Sequence, residues 1–163
     1  MKKIPIILLL ITPYVFVGIC LSKGLGTVIP VIWLVLWLLI LLPNMVYAFI
    51  LPKLKYTGEQ LLFWNMLLKL CNIPIYLMVF FVVLLLHVLI LPLIPIFILF
   101  DYSLLLPSTM YGISGIICCY KDGKLTIKEA IVHIILQLMF CFDVFSAVYC
   151  YIRARKASSR TAP

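Results

Sequence analysis

Two runs near the start of the chain, about residues 4 to 22 and 27 to 51, contain no Asp, Glu, Lys or Arg. Each reaches or approaches the roughly 20 apolar residues that cross a hydrocarbon core about 30 Å thick. Neither shows the period-two alternation of a barrel strand, so both read as helices, whose backbones satisfy their own hydrogen bonds in lipid. The composition agrees, with 66% hydrophobic and 11% charged residues where soluble domains run about half and a quarter. The expected fold is all-α: a polytopic transmembrane helical bundle with four to five membrane segments, built as one domain over residues 1–163.

The opening "MKKIPIILLLITPYVFVGIC" resembles a secretory leader, but no small-x-small cleavage site follows, so it reads as a retained first helix. Pro43 is expected to bend the second segment. Asn44 beside that bend reads as an amide that bonds a nearby carbonyl or a neighbouring helix. The remaining apolar segments are about 75–100, 103–119 and 127–152, followed by a basic tail over 153–163.

Residues 58–72 differ in character. Asn65, Lys69 and Asn72 fall at i, i+4 and i+7, a narrow polar stripe on an otherwise apolar helix. That pattern predicts one amphipathic helix lying in the membrane interface, with Trp64 and Lys69 at headgroup level and a turn inward at Pro74. The alternative is that it extends the next span.

In the fourth segment Ser108, Gly112, Gly115 and Cys119 recur at steps of four, three and four. Small side chains on one face let helix backbones approach closely, so this is a helix-packing face. The turn "YKDGKLTIKEA" carries a capping box, Thr126 with Glu129, and a hydrophobic staple, Leu125 with Ala130. The last helix should therefore start at Thr126.

A net charge of +8 raises the question of nucleic acid, but the basic residues are dispersed among turns and ends, as a membrane protein requires. Five full spans with the N-terminus inside place eight basic residues inside against five outside. A fourth segment that dips in and returns gives nine against four. Both counts put the Lys121 to Lys128 turn and the Arg153 tail on opposite sides.

The six cysteines form no C-x-x-C pair, and buried cysteine acts as a small hydrophobe, so neither a metal site nor a disulfide framework is expected. The serine elbow, phosphate loop, dinucleotide fingerprint and zinc-protease histidine pair are missing from the sequence, which points to no enzyme and no cofactor. Glu129, His133 and Gln137 share one helix face, a poor metal set better read as a hydrogen-bonded surface. Asp143 falls near the middle of the last segment and His87 near the middle of the third. Charges are costly at that depth, so the two form a candidate intramembrane polar site. The other reading is a neutral, structural Asp143 hydrogen-bonded to a backbone carbonyl, to Ser146 or to Tyr76.

The segments "LLFWNMLLKLCNIP", "LLLPSTMYGISG" and "FCFDVFSAV" resemble a family of small, uncharacterised integral membrane proteins of Gram-positive, often gut-dwelling, bacteria. The resemblance covers most of the chain after Leu51. It implies a bacterial plasma membrane and carries over no activity, ligand or catalytic residue.

Two function classes lead. The first is a non-enzymatic accessory or regulatory partner of a larger membrane complex, with the bilayer and another membrane protein or a second copy as partners. The second is a small transporter or an ion- or proton-conducting subunit that uses the Asp143 and His87 site.

Overall fold

The computed structural model describes residues 4–21, 28–85, 94–139 and 142–161. Among them the secondary structure is entirely helical: α1 (Ile4–Leu21), α2 (Val28–Ile50), a 3-10 turn (Leu51–Leu54), α3 (Gly58–Leu85), α4 (Ile94–Lys121), α5 (Ile127–Leu138) and α6 (Phe142–Thr161). Among the described residues three stretches are long and apolar enough to cross a membrane: Val35–Leu54, Gly58–Val82 and Ile98–Lys121.

Three boundaries differ from the sequence reading. The segment expected to lie in the interface over 58–72 is the first half of a continuous α3 that passes through Pro74. Thr57 starts this helix by exchanging side-chain and backbone hydrogen bonds with Gln60, a capping arrangement. Pro74 costs one hydrogen bond but does not end a helix whose other turns are packed. Likewise α4 runs unbroken through Asp101 and Pro107, where the sequence reading placed a boundary at Asp101. Pro95 sits in its first turn, where a missing N–H has no intrahelical partner to lose.

The third difference is a break. A single helix over 127–152 was expected, but α5 ends at Leu138, and Met139 takes extended backbone at φ −91° and ψ 120°. The Gln137 carbonyl, which a continuous helix would use internally, accepts the Thr109 hydroxyl at 3.0 Å. The chain restarts as α6 with Asp143 in its first turn.

The residues group into two compact units, Met1–Asn44 with Cys71–Leu104, and Met45–Leu70 with Leu105–Pro163. In the first, the Tyr14 hydroxyl bonds the Cys71 carbonyl, Phe16 packs on Phe100, and Trp37 Nε1 donates to Ser103 Oγ at 3.1 Å. The Asn44 amide folds back onto the Ile40 carbonyl of its own helix at 2.9 Å, one of the two roles its position beside Pro43 suggests.

In the second unit the start of α3 and the end of α4 run antiparallel. A Cβ placed on Gly58 would lie 2.6 Å from Cys119 Sγ, and one on Gly115 would lie 2.9 Å from Leu62 Cγ. Leu62, Ile116, Cys119, Leu125, Ala130, Cys150 and Ala154 form its apolar core. The staple pair Leu125 and Ala130 is part of that core, so the capped start of α5 is anchored as well as capped. Helices α5 and α6 form an antiparallel hairpin. His133 Nδ1 meets Ser146 Oγ at 3.0 Å, the His133 ring stacks on Tyr149, Glu129 pairs with Arg153 at 3.7 Å, and Lys124 Nζ donates to Ser158 at 2.9 Å.

Both charge counts made from sequence separate two basic groups that this hairpin brings together. The Lys121 to Lys128 turn and the Arg153 end of α6 lie together at one end of the unit, because α6 returns alongside α5.

Candidate functional site

The polar stripe of α3 faces inward. Asn65 and Lys69 have no solvent exposure and Asn72 almost none, the opposite of a stripe set among headgroups. Lys69 Nζ lies 3.2 Å from Asp143 Oδ2, with both side chains buried. The two charges form an ion pair, although neither atom has an aligned hydrogen bond. The break before α6 makes this pairing possible, because it puts Asp143 at the tip of the hairpin. A carboxylate in the first turn of a helix is favoured by the backbone dipoles there.

A second group of polar atoms accompanies the pair. The side-chain N and O atoms of both Asn65 and Gln137 are buried without a hydrogen-bond partner among the described residues. They meet over Gly112: a Cβ there would collide with Gln137 Oε1 and stand 2.6 Å from Asn65 Nδ2. Gly112 is therefore glycine because two buried amides occupy the space its side chain would need. Unpaired buried amides are costly and mark a place where a polar group from elsewhere would be held.

Depth follows from helix geometry. Lys69 is eleven residues into α3, a rise of about 16 Å, roughly half the hydrocarbon thickness. The 12 residues of α5 rise about 18 Å from the capped turn before the chain reverses. The hairpin tip and the Lys69–Asp143 pair thus sit at comparable depth within the same unit.

Of the residues singled out from sequence, Asn65, Lys69, Gly112 and Asp143 come together here. Ser108 bonds the Leu105 carbonyl of its own helix at 2.8 Å, Gly115 packs on Leu62, and Cys119 lies beside Gly58. Asn72 is a turn further along α3, its Oδ1 buried without a hydrogen-bond partner among the described residues. His87 lies outside the described residues; the partner that Asp143 has is Lys69. Glu129, His133 and Gln137, which share a face of α5, have three separate surroundings: Arg153, Ser146 and Gly112. Sequence reasoning missed Gln137 and Thr109 as members of the cluster. The signal for Lys69 was present, a lysine flanked by asparagines at helical spacing, but it was referred to the membrane surface.

The family model described as a family of unknown function, DUF6652, matches residues 39–156, a range that contains the whole cluster. No curated protein and no solved structure matches the chain.

Proposed function

The chain belongs to this family of unknown function, DUF6652, and we propose that it is a multi-pass protein of the bacterial plasma membrane that handles a small ion at an internal site. The observation that carries this reading is the buried Lys69–Asp143 pair at the tip of a broken helix pair, which in the proposed arrangement would lie about half a bilayer deep. Ionisable groups at that depth are expensive and are characteristic of ion and proton pathways. Discontinuous helices that end near the midplane are the usual frame for such sites, because free helix ends supply oriented dipoles.

In the proposed arrangement α1 to α4 cross the membrane and the α5–α6 hairpin enters and returns on one side. With the N-terminus inside, Lys2, Lys3, both lysines of the 53–55 turn, the Lys121 to Lys128 turn and the whole basic tail are cytoplasmic. That puts eleven of the 13 Lys and Arg residues inside, leaving Lys23 outside and Lys69 within the membrane. The positive-inside rule favours this over either distribution drawn from the sequence.

Reconstitution tests the function. Liposomes holding the purified protein should dissipate an imposed proton or alkali-cation gradient faster than empty ones, and Asp143→Asn and Lys69→Met should remove the difference. Wild-type liposomes no leakier than empty ones, across both gradients, would reject the ion-handling role.

A second reading, an accessory subunit with an inert internal pair, is favoured by the outer face of the hairpin. Ile127, Ile131, Ile135, Phe142, Phe145 and Ile152 are all exposed, a continuous apolar surface fit for a partner helix as well as for lipid. Stable co-purification with one larger membrane protein would support that reading.

A further inference from the structure

The basic end of the second unit has a charge balance that its own residues do not close. Three segments distant in sequence meet there: the turn before α3, the turn between α4 and α5, and the end of α6. Gly58 lies against Cys119, Lys124 donates to Ser158 and Arg153 pairs with Glu129, which fixes their proximity.

Acidic partners are nearly used up. Asp122 lies 3.9 Å from Lys124, and Glu129 serves both Arg153 and the Thr126 cap. Glu59 is the one other carboxylate in these three segments. Lys53, Lys55, Lys121, Lys128, Arg155 and Lys156 are exposed and have no ion pair among the described residues. Six unpaired cations around one end of a helical unit require counter-charge from outside the chain.

The same end carries a depth marker. Tyr120 is half exposed beside Lys121, and Tyr56 is partly exposed beside Lys55. Tyrosine settles where apolar tails give way to headgroups, with its ring in one and its hydroxyl in the other. Below this level the hairpin turns Ile127, Ile131 and Tyr149 outward. In a bilayer this level would set the unpaired cations at the height of lipid phosphates.

We propose that this end is a binding surface for anionic phospholipid headgroups, and that the lipid holds the mouth of the α5–α6 hairpin against the start of α3. Clusters of Lys and Arg at the cytoplasmic edge of membrane helices attract acidic lipid by their summed field, and the attraction weakens with salt. Among the described residues no ion pair joins the start of α3 to the other two segments, so a headgroup that touches both sides acts as a bridge between them. The proposal is independent of the ion-handling role.

The test compares the purified full chain in nanodiscs of phosphatidylcholine with discs that also contain phosphatidylglycerol. Melting should shift upward by several degrees in the acidic discs at low salt, and the shift should collapse at high salt. The variant Lys128→Gln/Arg155→Gln/Lys156→Gln should melt like wild type in neutral discs and lose most of the shift in acidic ones. Native mass spectrometry should show fewer retained phosphatidylglycerol molecules on the variant, which keeps the test sharp if its melting changes in both lipids. Equal melting of the wild type in the two discs, or a shift and lipid count unchanged by the triple substitution, would overturn the proposal. So would full recovery of the shift in neutral discs by inorganic phosphate alone, which would make the surface a free-anion site.

Discussion

Asp143, in the first turn of α6, meets Lys69 of α3 at 3.2 Å with both side chains closed off from solvent. Two elements far apart in sequence are thereby tied at one point, and that point is the only place where the hairpin tip could find a cation among the described residues of its unit. The energetics of such a pair are asymmetric. Removing one partner leaves a charge buried alone, whereas removing both leaves an apolar contact.

The first prediction follows from that asymmetry. Asp143→Leu or Lys69→Met alone should destabilise the protein by about 3–5 kcal/mol, and the double variant should regain most of the loss. Denaturant unfolding in detergent, arranged as a double-mutant cycle, is the measurement. Additive losses would mean that the two side chains are not energetically paired.

Much of the secondary structure was legible because hydrophobic length and capping chemistry are local. The Thr126 and Glu129 box is read directly from spacing and is present in the structure. What escaped were breaks and continuities decided by packing. Proline suggested a turn at Pro74 and the charge of Asp101 an end there, yet both helices continue. The real break at Met139 has no proline or glycine beside it, and the Gln137 carbonyl it frees is satisfied from another helix, by the Thr109 hydroxyl. Misplacing the end of a helix at Pro74 also moved Lys69 to the surface, and with it the partner of Asp143.

The second prediction concerns close approach. At Gly58 a Cβ would meet backbone as well as sulfur, 2.9 Å from the Cys119 nitrogen. Gly58→Ala should therefore force the ends of α3 and α4 apart and cost about 1–3 kcal/mol, the usual range for overpacking. At Gly112 the atoms in the way are the flexible ends of Gln137 and Asn65. Gly112→Ala should fold with a smaller loss but displace the amides, so any ion flux should fall more than stability does. Melting and flux measured on both variants check the order.

The third prediction is one of pH. Hydrogen bonds from the Thr126 backbone and hydroxyl hold the Glu129 carboxyl below its ordinary value of 4.5, and Arg153 acts in the same direction. A carboxyl with a depressed folded-state pKa contributes stability above that ordinary value and loses it as pH falls through the folded value. The start of α5 should thus loosen below about pH 4.5. Thr126→Ala should cost about 1 kcal/mol at neutral pH and weaken this acid dependence without abolishing it, because it removes the hydroxyl bond while the backbone N–H of residue 126, the larger cause of the depression, still reaches the carboxyl. Amide hydrogen exchange over residues 127–133 as a function of pH provides the readout.

The last prediction separates the hairpin from a full crossing. If α5 and α6 enter and return, residues 123 and 157 face the same compartment, because Lys124 and Ser158 are bonded in the folded chain. A fifth span would put them in opposite compartments and would have to break that contact along with the Glu129–Arg153 pair. Single cysteines introduced at positions 2, 23, 54, 123 and 157 of a cysteine-free background can be labelled with an impermeant maleimide in intact cells and again after permeabilisation. Only position 23 should react from outside, and the other four should react only once the membrane is opened. External labelling at 157 with protection at 123 would restore a complete fifth crossing. External labelling at both would keep the hairpin but invert the protein, placing most of its basic residues outside against the charge rule.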